Sequence, residues 1–383
     1  MVQEVTTSSW FSRIGNAFVG ILVGIALIIG SFMLVFWNEG NGLHKAQSLK
    51  QTEKMLVTTP ISPIDKKNEL KVVYFSGLAT TDESLKDSLL EIDTKAIKLD
   101  RNVEMFQWEQ EQESKTEKNM GGSETETKTY TYKTAWSDKI IDSSNFKELN
   151  GHKNPTSMAF PSRHEQASKV TVGDFILPTD LISKISVTTP VDLTEKDISV
   201  IQNKTKLKVS HNGIDLYLGE DSQTPRVGDV RIHVTEILPQ IVSVIAQQTG
   251  NTVQAYMAPA GHPIALLVSG QQSYPQMIHD AEVENRMLTW LFRGVSLLLM
   301  IIGFTLILKP IAVLADIIPF FGNIVGYGTG LIAFVAGLLL WTCATALAWF
   351  VVRPLLAVGL VVIACLISYG LIQRKKNSLE KTS

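Results

Sequence analysis

The chain has 383 residues, 45% hydrophobic and 19% charged, with a formal charge of −2 from 35 Lys+Arg and 37 Asp+Glu. Charge is segregated: residues 40–286 carry 27 Lys+Arg and 33 Asp+Glu, whereas 14–38 and 317–352 carry none. That excludes a simple soluble globule, and the −6 balance of the polar part excludes a basic nucleic-acid-binding domain.

Residues 1–15 precede an uncharged run at 16–37, long enough for one membrane-spanning helix. It lacks the shorter apolar core and small-residue exit of a cleaved signal, so it reads as an uncleaved anchor. Gly20 and Gly24 lie on one face of it, a spacing that lets helices approach closely. Residues 41–56 suggest a helix resuming after a break at Gly40 and Gly42.

Residues 38–286 read as a β-rich domain. Strand patterns fall at 71–80, 102–108, 129–136, 207–218, 230–237, 242–247 and 264–268. Between the second and third lies EQEQESKTEKNMGGSETETK (109–128), which predicts a mobile hairpin tip punctuated by Gly121 and Gly122. Residues 274–290 predict a helix running unbroken into the next span, so the domain is tethered to the membrane at both ends.

A second span is expected at 287–308, with Arg293 snorkelling to the surface. Residues 309–323 predict a cytoplasmic interfacial segment, with Pro310 in the first turn of a short helix, Asp316 facing water and a turn or interfacial segment at 319–323. Spans three and four are expected at 324–350 and 354–373, joined tightly at Arg353-Pro354, with a cytoplasmic tail at 374–383. Gly322, Gly326 and Gly330 repeat the small-residue spacing. The bland account of these glycines is packing within one bundle; the sharper one is contact between copies. Near the short segments, Arg13, Lys309, Arg374, Lys375, Lys376 and Lys381 on one side oppose only Arg353 on the other, which places both termini in the cytoplasm. Trp37, Trp290 and Trp349 fall at the outer ends as interfacial anchors, and Trp10 near the inner one. The expected fold class is therefore an α+β membrane protein: four transmembrane helices, with a β-rich extracytoplasmic domain between helices 1 and 2.

No catalytic, metal or cofactor motif emerges. The seven histidines make no zinc spacing, Cys343 and Cys365 both lie in apolar runs, and there is no nucleophile elbow or phosphate loop. The most conspicuous polar cluster is His152, Lys153 and Asn154 before Pro155. An Asn-Pro turn with solvated neighbours accounts for it better than a binding loop does.

Several strings in order carry a resemblance: Asn38-Glu39-Gly40 after the first span, NVEMFQW at 102–108, GHKNP at 151–155, Ser157-Met158-Ala159, VGDVR at 227–231, and Arg353-Pro354-Leu355. With one span before the domain and three after it, the chain resembles the transmembrane protein 43 (LUMA) family over about residues 18–371. The resemblance implies a four-span protein with a large lumenal domain and no catalytic residues to carry over. In animals it implies the endoplasmic reticulum and inner nuclear membrane, self-association, and contact with emerin and lamins; bacterial members would sit in the inner membrane. The leading expectation is a non-enzymatic, self-associating membrane scaffold. A lipid-binding protein or membrane-embedded enzyme at the outer bilayer face comes second, with His152 and Asn154 as its polar candidates. A transporter or channel comes third.

Overall fold

The computed structural model describes residues 2–194, 198–205 and 207–352. The expected fourth span, the Arg353-Pro354 turn and the tail at 374–383 lie outside the described residues.

Among the described residues three helices are long and apolar enough to cross a membrane: α1 (Trp10–Met55), α2 (Tyr274–Ala315) and α3 (Pro319–Val352). Helix α1 begins at Ser9, whose hydroxyl caps the Ser12 N–H. It has 46 residues, about 69 Å at 1.5 Å each, so its second half stands clear of a hydrocarbon core about 30 Å thick. The expected break at Gly40 and Gly42 is absent. At Gly42 the missing side chain serves close approach instead: a Cβ there would lie 2.7 Å from Thr289 Oγ1 of α2, and the Gly42 carbonyl accepts from Asn285 Nδ2 at 2.8 Å.

Helix α2 also runs further than expected. Pro310 does not start a separate interfacial helix; it is buried inside α2, where its missing N–H leaves the Leu306 carbonyl without its helical donor. That carbonyl faces Gly20 of α1. The chain reverses at Asp316, and α3 starts at Pro319, in the first turn where proline costs nothing. Residues 319–323 are therefore helix, not turn.

Nine of the strands among the described residues position the site: β1 (Val2–Ser8), β2 (Val72–Thr80), β3 (Lys98–Lys118), β4 (Glu124–Ser137), β5 (Val209–Asn212), β6 (Asp215–Leu218), β7 (Val230–Ile237), β8 (Gln240–Thr249) and β9 (Leu266–Ser269). One sheet runs β1-β4-β3-β7-β6-β5; in the other, β8 pairs with both β2 and β9. Period-two alternation decides what each face meets. Val73, Phe75, Val242, Val244 and Ala246 turn to one core, where Phe75 stacks on Phe175 with centroids 4.5 Å apart. Val72 and Ile245 turn the other way, onto Leu49 of α1 and Met277, Ile278 and Ala281 of α2. Both membrane helices are thus built into the domain's packing and not merely linked to it.

Two expectations are corrected in the first sheet. Residues 207–218 form two strands, because Asn212-Gly213 supplies a tight hairpin turn with Gly213 at φ +64°. The segment 109–128 is not a loose tip. β3 and β4 pair residue for residue from Met105↔Ser137 to Lys118↔Glu124. β1 adds a third strand, from Val2↔Tyr130 to Ser8↔Glu124. The result is a polar three-stranded ribbon reaching beyond the domain.

Candidate functional site

The ribbon ends at the far ends of the membrane helices. The Gly121 N–H donates to the Ile317 carbonyl at 3.0 Å, and Trp10 Nε1 to that of Val313 at 2.9 Å. Asp316, expected in water, is 1% exposed. It is held by Arg13 Nη2 at 2.5 Å and Lys118 Nζ at 2.7 Å. Arg13 also meets Glu124 at 2.9 Å and donates to the Gly122 carbonyl at 2.6 Å. Gly122 adopts φ +80° and lies under the Trp10 ring, where a side chain would overlap it. The start of α1, the α2–α3 turn and the ribbon tip are thereby latched together. Residues 2–13, expected across the membrane from residues 38–286, are hydrogen-bonded to them here.

At the other end of the bundle, Arg293 does not snorkel outward. Its Nε and Nη2 donate to the two carboxylate oxygens of Glu39 on α1, at 2.5 and 2.8 Å. Trp349 Nε1 donates to the same carboxylate at 2.8 Å, and the guanidinium lies over the Trp290 ring. Around the pair, Asn38 Nδ2 donates to the Thr289 carbonyl, Ser31 Oγ to the Ser296 carbonyl and Trp341 Nε1 to Ser296 Oγ. A fork-shaped donor set on a buried carboxylate restores much of what desolvation costs both charges. A cavity of about 370 Å³ opens above the pair between α1 and α2.

The three tryptophans expected as anchors gather at this end. Trp37 is 55% exposed and packs edge-on to Phe292; Trp290 is 62% exposed; Trp349 is partly covered by its bond to Glu39. Among the glycines, Gly24 marks the tightest α1–α2 approach, where a Cβ would sit 2.6 Å from the Gly303 carbonyl. Gly20 lies one turn away on the same seam, and Gly322 makes room for the Asp316 carboxylate. Gly326 and Gly330 meet nothing within 4 Å among the described residues.

The His152 cluster lies at the base of the ribbon. Asn154 is buried and completes the edge of β3: its Oδ1 accepts the Trp108 N–H at 2.7 Å, and its Nδ2 donates to the Trp108 and Ile141 carbonyls. It stands where the next strand would be, since β7 pairs only as far as Met105. His152 stacks on Tyr132 with centroids 4.0 Å apart, and Lys153 is exposed. No group of three potential metal ligands occurs among the described residues. Sequence reasoning used Arg13 only as a topology charge and Glu39 only within a resemblance string, and it missed Asn285; the position of a lone polar or charged residue beside an apolar run is the signal that could have marked them.

One titratable group at the domain–helix junction is displaced. His262 donates its backbone N–H to Ser48 Oγ of α1. Burial holds its imidazole below the ordinary range, and Lys45 and His44 add to the effect.

A family model described as Transmembrane protein 43 matches residues 105–354. Transmembrane protein 43 of Homo sapiens is 30% identical, with 97% of this chain and 96% of that protein covered. The Mus musculus protein is 31% identical over 91% and 88%, and the Drosophila melanogaster homolog 28% over 91% of each. No solved structure matches.

Proposed function

Because this chain belongs to the transmembrane protein 43 family, we propose that it is a self-associating, multi-pass membrane scaffold. The bundle fixes a β-rich platform at one bilayer face, and copies are arranged around shared water. A fourth span at 354–373 would return the tail to the side of the N-terminus, as the lysine and arginine asymmetry supports. In a eukaryotic member the role would be endomembrane or nuclear-envelope organisation; in a bacterium, that of the inner membrane.

The ribbon carries this reading. From Trp108 at its base to Lys118 it extends about 33 Å at 3.3 Å per residue, against about 39 Å for α1 from Arg13 to Glu39. The ribbon therefore runs most of the length of the apolar helices, carrying Glu109, Glu111, Glu113, Lys115, Glu117, Glu126, Lys128 and Lys133. In acyl chains each such charge costs roughly 3 kcal/mol near the midplane, and open strand edges add unmet hydrogen bonds. The sum exceeds a typical folding stability of about 5–15 kcal/mol. Copies that turn their ribbons toward a common interior, with apolar helices outward, remove that cost.

Crosslinking in native membranes should yield a ladder of homo-oligomers. A single cysteine at Thr127, in a variant with Cys343 and Cys365 replaced by Ser, should react with a membrane-impermeant maleimide. A solitary monomer at every crosslinker concentration, with position 127 sealed from water, would overturn the reading.

A further inference from the structure

We infer that the cavity between α1 and α2 above the Glu39–Arg293 pair is a binding site for the phosphate of an anionic glycerophospholipid of the bilayer face nearest the domain. The inference needs α1 and α2 to cross the membrane; it does not rest on self-association.

The cavity has unpaired cations at one end and indole rings beside a neutralised ion pair at the other. Lys50 and Arg286 stand at the end toward the domain, and neither makes a hydrogen bond or ion pair among the described residues. Arg286 lies two turns before Arg293 on α2, and Lys50 two turns beyond Leu43 on α1, each about 10 Å along its axis. Glu282 is the third charged group at this end. Arg293 and Glu39 neutralise one another, so two free cations face one acid and the mouth carries a net positive charge. At the other end the mutually neutralised Glu39–Arg293 pair forms the floor, flanked by Leu43, Trp290 and Trp349, and Met287 and Leu291, beside Trp290 in the α2 sequence, are exposed.

That order matches a phospholipid standing in its leaflet: phosphate at the cations, glycerol at the indole rings, acyl chains down the helix face. Tryptophan favours this depth because its ring is apolar and its N–H polar. The floor is preorganised. Asn285 and Thr289 already hold α1 against α2 through the Gly42 carbonyl and their own bonds, so a ligand meets a formed wall. A soluble phosphate ester would satisfy the cations but leave Leu43, Trp290 and Trp349 facing water.

The test uses the full-length protein in neutral phosphatidylcholine nanodiscs, titrated with short-chain phosphatidylglycerol and read by native mass spectrometry. Wild type should retain phosphatidylglycerol in preference to added short-chain phosphatidylcholine. K50Q/R286Q, altered only at exposed positions, should lose that preference by about 30-fold while melting with wild type. Trp290→Ala should weaken retention with the cations intact. Equal retention of both lipids by wild type, or an unchanged preference in K50Q/R286Q, would overturn the site. Competition by soluble glycerol phosphate at matched concentration would overturn its assignment to a membrane lipid. Oligomer mass in the same spectra reports self-association separately.

Discussion

Glu39 and Arg293, 254 residues apart in sequence, form a two-pronged ion pair across the α1–α2 seam; the Glu39 residue is 3% exposed. A buried pair of this kind contributes little against an apolar replacement, yet losing one member strands the other. E39Q or R293M alone should destabilise the protein by about 3–5 kcal/mol. The double variant E39Q/R293M should recover most of that loss. Thermal melts in one detergent check the ordering; single variants no worse than the double would contradict it.

Asp316 closes the latch. D316N removes the charge that Arg13 and Lys118 share, and the ribbon tip should open while the domain core stays intact. Limited trypsin digestion should then cut after Lys118 several-fold faster than in wild type, with the domain's melting unchanged.

The glycines separate into two kinds. G24L places atoms where the Gly303 carbonyl already lies and should cost about 1–3 kcal/mol through overpacking. G326A and G330A should leave monomer stability unaltered, because a Cβ at either meets nothing among the described residues. If those two glycines seat a neighbouring copy, the same variants shift the crosslinked ladder. Equal melting losses in all three would erase the distinction.

Asn154 tests whether the cluster at the ribbon base is structural. N154A leaves the N–H and carbonyl of Trp108 without their partners, a cost of about 1–3 kcal/mol. H152A should cost less, since its main contact is a stacked ring. A loss of bound ligand in N154A with no loss of stability would reverse this assignment.

Acidification loads the domain–helix junction. The folded His262 binds its proton less readily than the unfolded chain does, so the unfolded state gains protons first. Stability from this group is therefore full above pH 6.5 and falls as the pH drops through 6.5 toward the lower folded value. Melting curves between pH 7.5 and 5 should show this fall, and H262N should flatten it.

Long apolar runs announced the three helices because twenty such residues have few other stable settings. Core strands were legible wherever one face met apolar packing. Within the ribbon, 129–136 was legible from its alternation, but 109–128 was not, since no apolar alternation develops there. Its signal was a different one: Thr125, Thr127, Thr129 and Thr131, a β-branched column that favours strand without being hydrophobic. The turn at Asn212-Gly213 was available in the letters and was overridden by alternation on both sides of it. The Glu39–Arg293 pair and the Asp316 latch join residues far apart in the chain, so only the packing of the helices brings them within reach. Asn154 drew notice as part of a polar cluster, whereas its role is to stand in for a missing strand.

The unbroken course of α1 makes the molecule a lever. Its embedded half and its domain half turn as one rod, so a 10° change in tilt would swing the far end by about 12 Å over its ~69 Å length. Bilayer thinning or thickening, which helices answer by tilting, would thus reposition the whole platform. Leu49, Met277 and Ile278 would transmit that swing directly into the sheets.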